Sequence, residues 1–295
     1  MSQELVPRLS LYFGAEPSRP AILARLALGR PGPRDPDLAL DLRERLAAEL
    51  RPDGSVRGAS LPTMWRVHEL LDLGEPSDSR PIRAAVRWLG ALQGRSGAFG
   101  EGCDKQRHAR RVCEHFLVGF FSPAPPEQRL TPVTLPNGKV FRAEPAARFA
   151  LSALALRAML RAGESSRPAV RRHLESLARL AEQWTGWASA FAPDAIVAGM
   201  HALAEAGPPW SDASHRLVPM VAARQGQDGG WIDADVFPML DMLLAVGSPD
   251  AVSLVRRALP ALSARQRADG SFGATAQQER ALIGLRAALR AGRGT

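Results

Sequence analysis

Gln225-Gly226-Gln227-Asp228-Gly229-Gly230-Trp231 is the clearest copy of a motif that recurs along the chain. Asp before Gly is turn chemistry, because the glycine supplies positive φ and the carboxylate accepts from the backbone just beyond it. The pattern returns as Gln93-x-x-Ser96-Gly97-x-Phe99 and Gln266-x-x-Asp269-Gly270-x-Phe272, and more loosely at Asp53-Gly54, Asn137-Gly138 and Thr185-Gly186. The six pairs recur every 41 to 48 residues. A period of that length marks a chain built from repeated supersecondary units.

Between the turns, Ala, Leu and Arg recur at helical spacing, which predicts one helix before each turn and one after it. The helices before the turns are expected at Asp37–Leu50, Pro81–Leu92, Arg167–Glu182, His215–Arg224 and Asp250–Arg265. Those after the turns are expected at Leu61–Leu73, His108–Phe121, Pro145–Ala162, Asp194–Ala206, Asp235–Val246 and Gln277–Ala291. Several of the second set run into a glycine, Gly74, Gly163, Gly207 or Gly247, as helix C-termini do. No stretch alternates as a strand, so the fold class expected is all-α.

The three well-formed turns resemble the Q-x-x-D-G-x-W/F repeat of the squalene cyclase and protein prenyltransferase β-subunit superfamily. That resemblance covers residues 37–295 and implies an (α/α)6 toroid of six helix-turn-helix repeats. The helices before each turn would form an outer ring, and those after it would line a central cavity. In such a repeat the aromatic wedges between layers and the Gln caps neighbouring backbone groups. These positions are therefore structural. Residues 1–36 stand outside the repeats as a Pro-rich N-terminal segment.

Composition bounds the function classes. The chain has 295 residues, 45% of them hydrophobic and 23% charged, enough for a sizeable core without disulfide or metal staples. No run of 18 uncharged apolar residues occurs, so no integral membrane segment is expected. Residues 1–10 carry Glu4 and Arg8 and lack an apolar run, and a cytoplasmic protein is the expectation. The net charge of +8 rests on arginines scattered along the chain, with Lys105 and Lys139 the only lysines, which argues against a nucleic-acid partner.

Three groups of residues suit chemistry. Six residues before the helix-ending glycines stand His68, Arg157, His201 and Asp241, and the second unit offers His115 before Phe121. Equivalent positions around a ring would make a polar belt able to polarise a substrate or move protons. The alternative is a polar rim at helix C-termini, where His and Arg favour the dipole. Second, Cys103, His108, Cys113 and His115 lie within thirteen residues and are ligand types that suit zinc, although on one helix Cys113 points away from the histidines. In the similar prenyltransferases an Asp-x-Cys pair and a His hold zinc. Here Arg111-Val112-Cys113 stands at that place without the carboxylate. Arg107 and Arg111 suit an anionic group such as a diphosphate, or simply a solvated face.

Third, Asp233-Ala234-Asp235-Val236 resembles a shortened form of the Asp-x-Asp-Asp acid of class II terpene cyclases. A paired carboxylate can keep its proton and deliver it to an alkene. An ordinary helix N-cap accounts for the same residues. Trp65, Phe116 and Phe237 fall on the inner segments, where aromatic rings line apolar pockets or fill the core. The resemblance makes acid-initiated cyclisation or isomerisation of an isoprenoid or other largely apolar substrate the leading expectation, with Asp235 as donor, Asp233 or Asp241 tuning it, and His115 or His201 taking the proton back. A zinc-dependent prenyltransferase-like enzyme, and a non-catalytic module binding a peptide, lipid or protein partner, are the competing expectations.

Overall fold

The computed structural model describes residues 5–93, 119–125, 127–187 and 192–292. Among them are twelve helices: α1 (Leu5–Phe13), α2 (Arg19–Ala27), α3 (Asp35–Ala48), α4 (Ser60–Asp72), α5 (Arg80–Gly90), α6 (Glu144–Arg161), α7 (Pro168–Ala181), α8 (Ala192–Glu205), α9 (Ser211–Ala222), α10 (Val236–Val246), α11 (Pro249–Arg265) and α12 (Gln277–Gly292). The fold is all-α. Proline stands in the first turn of α2, α5, α6, α7 and α11, where its missing N–H costs nothing. Gly74, Gly163, Gly207 and Gly247 take positive φ where α4, α6, α8 and α10 end. Among the described residues no helix is long and apolar enough to cross a membrane.

Two local expectations are corrected. The Asn137-Gly138 turn joins two short antiparallel strands, β1 (Val133–Thr134) and β2 (Val140–Phe141), instead of two helices. Gly138 has φ 81°, Asn137 Oδ1 accepts from Lys139 N at 3.1 Å, and β-branched valines flank the turn. At Thr185-Gly186 the glycine does not take positive φ, so this position lacks the turn geometry of its counterparts.

The chain divides into two compact units, one of Met1–Leu42, Leu135–Lys139 and His215–Thr295, the other of Arg43–Thr134 and Val140–Ser214. In the second, α6 lies against α4 and α8, while α5 packs on α4 and α6, and α7 packs on α6 and α8. Alanines 146, 147, 150, 153, 155 and 158 are all buried, and their small side chains let neighbouring helices approach α6 closely. In the first unit α10, α11 and α12 pack together, and α12 also carries α1 and α2.

The turns are built alike. Asp53 Oδ1 accepts from Ser55 N at 2.9 Å, Asp228 Oδ1 from Gly230 N at 2.9 Å, and Asp269 Oδ1 from Ser271 N at 2.9 Å. The glycine that follows each Asp meets the backbone of another helix. A Cβ on Gly54 would lie 2.2 Å from the Ala84 carbonyl of α5, one on Gly229 2.1 Å from the Arg257 oxygen of α11, and one on Gly270 2.7 Å from the Arg8 oxygen of α1. Gln225 Nε2 donates to Leu254 O of α11 at 3.1 Å, and Gln93 Nε2 donates to Ala169 O of α7. Trp231 is buried, its indole N–H donating to Val221 O at 3.2 Å.

The last turn therefore rests on the N-terminal helix as the turns at Gly54 and Gly229 rest on the second helix after them. Residues 1–36 are more than a Pro-rich segment: they contain the helical hairpin α1–α2. Leu5, Leu9 and Phe13, spaced one turn apart, bury one face of α1. Arg25 is held by Asp35 and by the carbonyls of Phe13 and Glu16. Replacing Gly54 with Ala meets both left-handed backbone and a backbone clash. It should cost about 3 kcal/mol or more in denaturant unfolding, whereas Gly74→Ala, with φ 83° and open space around it, should cost about 1 kcal/mol.

Candidate functional site

Three helices of the second unit bring six ionisable side chains together near their C-terminal ends. His68 and Asp72 come from α4, Arg157 and Arg161 from α6, and His201 and Glu205 from α8, each pair one helical turn apart. Arg161 donates to Asp72 Oδ1 at 2.6 Å and approaches His68 Nδ1 at 2.9 Å. Arg157 donates to Glu205 Oε1 at 2.8 Å, and His201 Nε2 lies 3.5 Å from the same oxygen. Trp65, one turn before His68, stands with its ring centroid 5.7 Å from the imidazole.

The electrostatics follow from burial and from these partners. Burial, aided by the positive charges of Arg157 and Arg161, pushes His68 well below its usual value, so the ring is neutral. A guanidinium only donates, which makes His68 Nδ1 the acceptor and places the ring proton on Nε2. Burial alone would raise Glu205, but Arg157 and His201 outweigh it and hold the carboxyl well below the ordinary carboxylate range. The cluster thus contains two arginines set against two carboxylates, with a neutral imidazole between them.

His68, Arg157 and His201, read from the sequence as one register, do meet. Asp241 lies half-buried on α10 in the other unit. The sequence reading missed Asp72, Arg161 and Glu205, although each stands two residues before its helix-ending glycine, an equally regular signal.

The first unit contains the Asp233–Asp235 segment. Asp233 is exposed and has φ 61°, a turn conformation. Asp235 caps α10: Oδ1 accepts from Phe237 N at 3.1 Å, and Oδ2 lies 3.1 Å from Arg280 of α12. Arg280 also donates to Asn137 O at 3.0 Å and Gly138 O at 3.2 Å, and its guanidinium lies 4.9 Å from the Phe237 ring centroid. Phe237 is buried and meets Phe272 edge-on at 5.2 Å, a core position. Arg280 carried no sequence signal, being one arginine among many. Cys103, Arg107, His108, Arg111, Cys113, His115 and Phe116 lie outside the described residues. Among the described residues no three His, Cys, Asp or Glu side chains converge as a metal-ligand set.

Comparison with solved structures places this architecture. A protein from Actinoplanes superposes over 99% of this chain and 100% of its own, with TM-score 0.59 and 14% identity. An apo variant of the type II terpene cyclase MstE from Scytonema matches over 100% of this chain and 98% of its own, with TM-score 0.55 and 12% identity. The chain has the fold of a type II terpene cyclase. Another MstE variant, in complex with its substrate geranylgeranyl dihydroxybenzoate, matches over 97% of this chain and 88% of its own, with TM-score 0.52 and 12% identity. No family profile and no curated protein matches the sequence.

A third histidine is a core residue. His173 of α7 is fully buried, with ring centroids 4.2 Å from Phe120 and 5.2 Å from Phe121, and burial pushes it down to about 3. Both His173 and His68 are neutral in the folded protein but take up a proton on unfolding below their ordinary value. Their contribution is therefore complete above about pH 6.5 and is lost as the pH falls below it. Urea unfolding at about pH 7.5 and about pH 4.5 should show lower stability in acid, and His173→Leu should shrink the difference by roughly 2 kcal/mol.

Proposed function

We propose that this chain is a terpene cyclase-like enzyme that acts on an isoprenoid or other largely apolar substrate by acid-initiated cyclisation or isomerisation. The observation that carries the reading is the fold shared over almost the whole length with a protein that cyclises a geranylgeranyl substrate. A carboxylic acid adds its proton to an alkene carbon, the carbocation is captured by a neighbouring double bond, and a proton leaves the carbon beside the last cation. Substrate and product are isomers, and the acid is regenerated.

Asp241 is the donor we favour among the three aspartates at α10. Asp233 is exposed, and both oxygens of Asp235 are engaged, one by the helix N-terminus and one by Arg280. Asp241 is the single charged side chain of α10 and sits well inside the helix, away from the capping position. On its own face of the helix stand Pro238, Leu244 and Ala245, all apolar and half-buried. The roles of Asp233 and Asp235 become structural in this reading, setting the turn and the start of the helix.

The purified protein should be incubated with a panel containing geranylgeranyl dihydroxybenzoate, geranylgeranyl diphosphate and squalene, and the products separated by chromatography with mass detection. A new product of unchanged mass is expected from one of them. Asp241→Asn should lower its rate of formation by about 100-fold or more while the protein stays folded. Asp235→Ala should instead cost about 1–2 kcal/mol of stability through the lost cap. Absence of any isomeric product, or full activity in the Asp241 variant, contradicts the assignment.

A further inference from the structure

The buried polar atoms of the α4–α6–α8 cluster without a hydrogen-bond partner among the described residues include His68 Nε2 and Glu205 Oε2. They are opposite in kind. Because Arg161 fixes Nδ1 as an acceptor, Nε2 carries a hydrogen to donate. Glu205, held as a carboxylate by Arg157 and His201, can only accept. The two groups are electrostatically coupled across the cluster, and His68 is 2% exposed. A buried donor and a buried acceptor left unmet in one cluster are each costly, and each calls for an explanation.

We propose that this cluster binds the hydroxyl group of a largely apolar alcohol or phenol, whose oxygen accepts from His68 Nε2–H and whose hydrogen is donated to Glu205 Oε2. A hydroxyl is the smallest group that both accepts and donates at one atom. An anionic head group fits less well. A second negative charge would face the Glu205 carboxylate, which has no hydrogen to donate to it. Trp65, half-buried with its ring 5.7 Å from that of His68, adds an aromatic side chain to the cluster. The inference rests on the proposed function only for the apolar character of the ligand; His68 and Glu205 position the head group and take no part in proton delivery.

The test uses 4-heptylphenol and its methyl ether, in which a methyl group replaces the hydroxyl hydrogen, and needs no isoprenoid chemistry. Calorimetric titration of the wild-type protein should show the phenol binding at least about tenfold more tightly than the ether, because the ether leaves Glu205 Oε2 unmet. Nitrogen-15 spectra of the histidine rings should show the His68 Nε2–H signal moving with the phenol. His68→Gln, which keeps an N–H donor close to that place, should preserve the preference, and His68→Leu should abolish it. The ligand comparison and the ring signal are read on wild-type protein, so a poorly folded variant does not obscure the result. Equal affinity for the two compounds, binding of neither, or an unmoved His68 signal overturns the proposal and assigns the two atoms to a trapped water. Either outcome is independent of whether isomeric products form from isoprenoids.

Discussion

The close approach of a turn glycine to the backbone of another helix is the contact on which the rest of the architecture depends. At Gly54, Gly229 and Gly270 that backbone occupies the space where a side chain would begin. Only glycine tolerates both the positive φ and the missing volume, and the Asp before it holds the turn by accepting from the backbone two residues on. The Gln and the aromatic residue of the motif extend the same junction. At the fifth turn, Gln225 reaches a carbonyl of α11 while Trp231 fills the space beneath. A helix seated this way has its axis fixed at one end, which is what lets side chains from separate helices meet at fixed positions. The N-terminal hairpin α1–α2 obeys the same rule, since α1 supplies the backbone against which Gly270 closes.

The fold was legible in the sequence wherever local chemistry set the structure. Turn pairs, proline-led helix starts and helix-ending glycines are short-range signals, and the helices lie close to where the pattern puts them. The α1–α2 hairpin was less visible because Pro7 and the loop around Pro17 and Pro20 mask the Leu5, Leu9, Phe13 spacing. Asn137-Gly138 was legible as a turn, but the choice between helices and strands beside it depends on four residues, too few for periodicity to decide.

The polar cluster was half legible for a related reason. His68 and His201 stand out as rare residue types in register with the glycines, whereas Arg161 and Glu205, equally in register, are residue types that the charged outer face of any helix in an Arg-rich chain carries. Their partners are distant in sequence: Arg161 meets residues about ninety positions earlier, which no local pattern encodes. Asp235 illustrates the opposite case. An acid motif and an N-cap share the same residues, and only the positions of Phe237 N and Arg280 decide that both carboxylate oxygens are already in use. Burying two arginines with two carboxylates contributes little to stability compared with an apolar core of equal volume. A cluster of this kind, with buried hydrogen-bonding atoms left over, is not explained by folding stability alone.

A protein acid that starts the proposed chemistry leaves an isotopic mark on the product. The substrate converted best should be turned over in deuterium oxide after the protein has exchanged, and the product mass measured. A donor carboxylic acid exchanges with solvent, so the account predicts a product carrying one deuterium at the carbon that was protonated. A product with no deuterium, formed at an undiminished rate, would contradict proton-initiated catalysis by this chain.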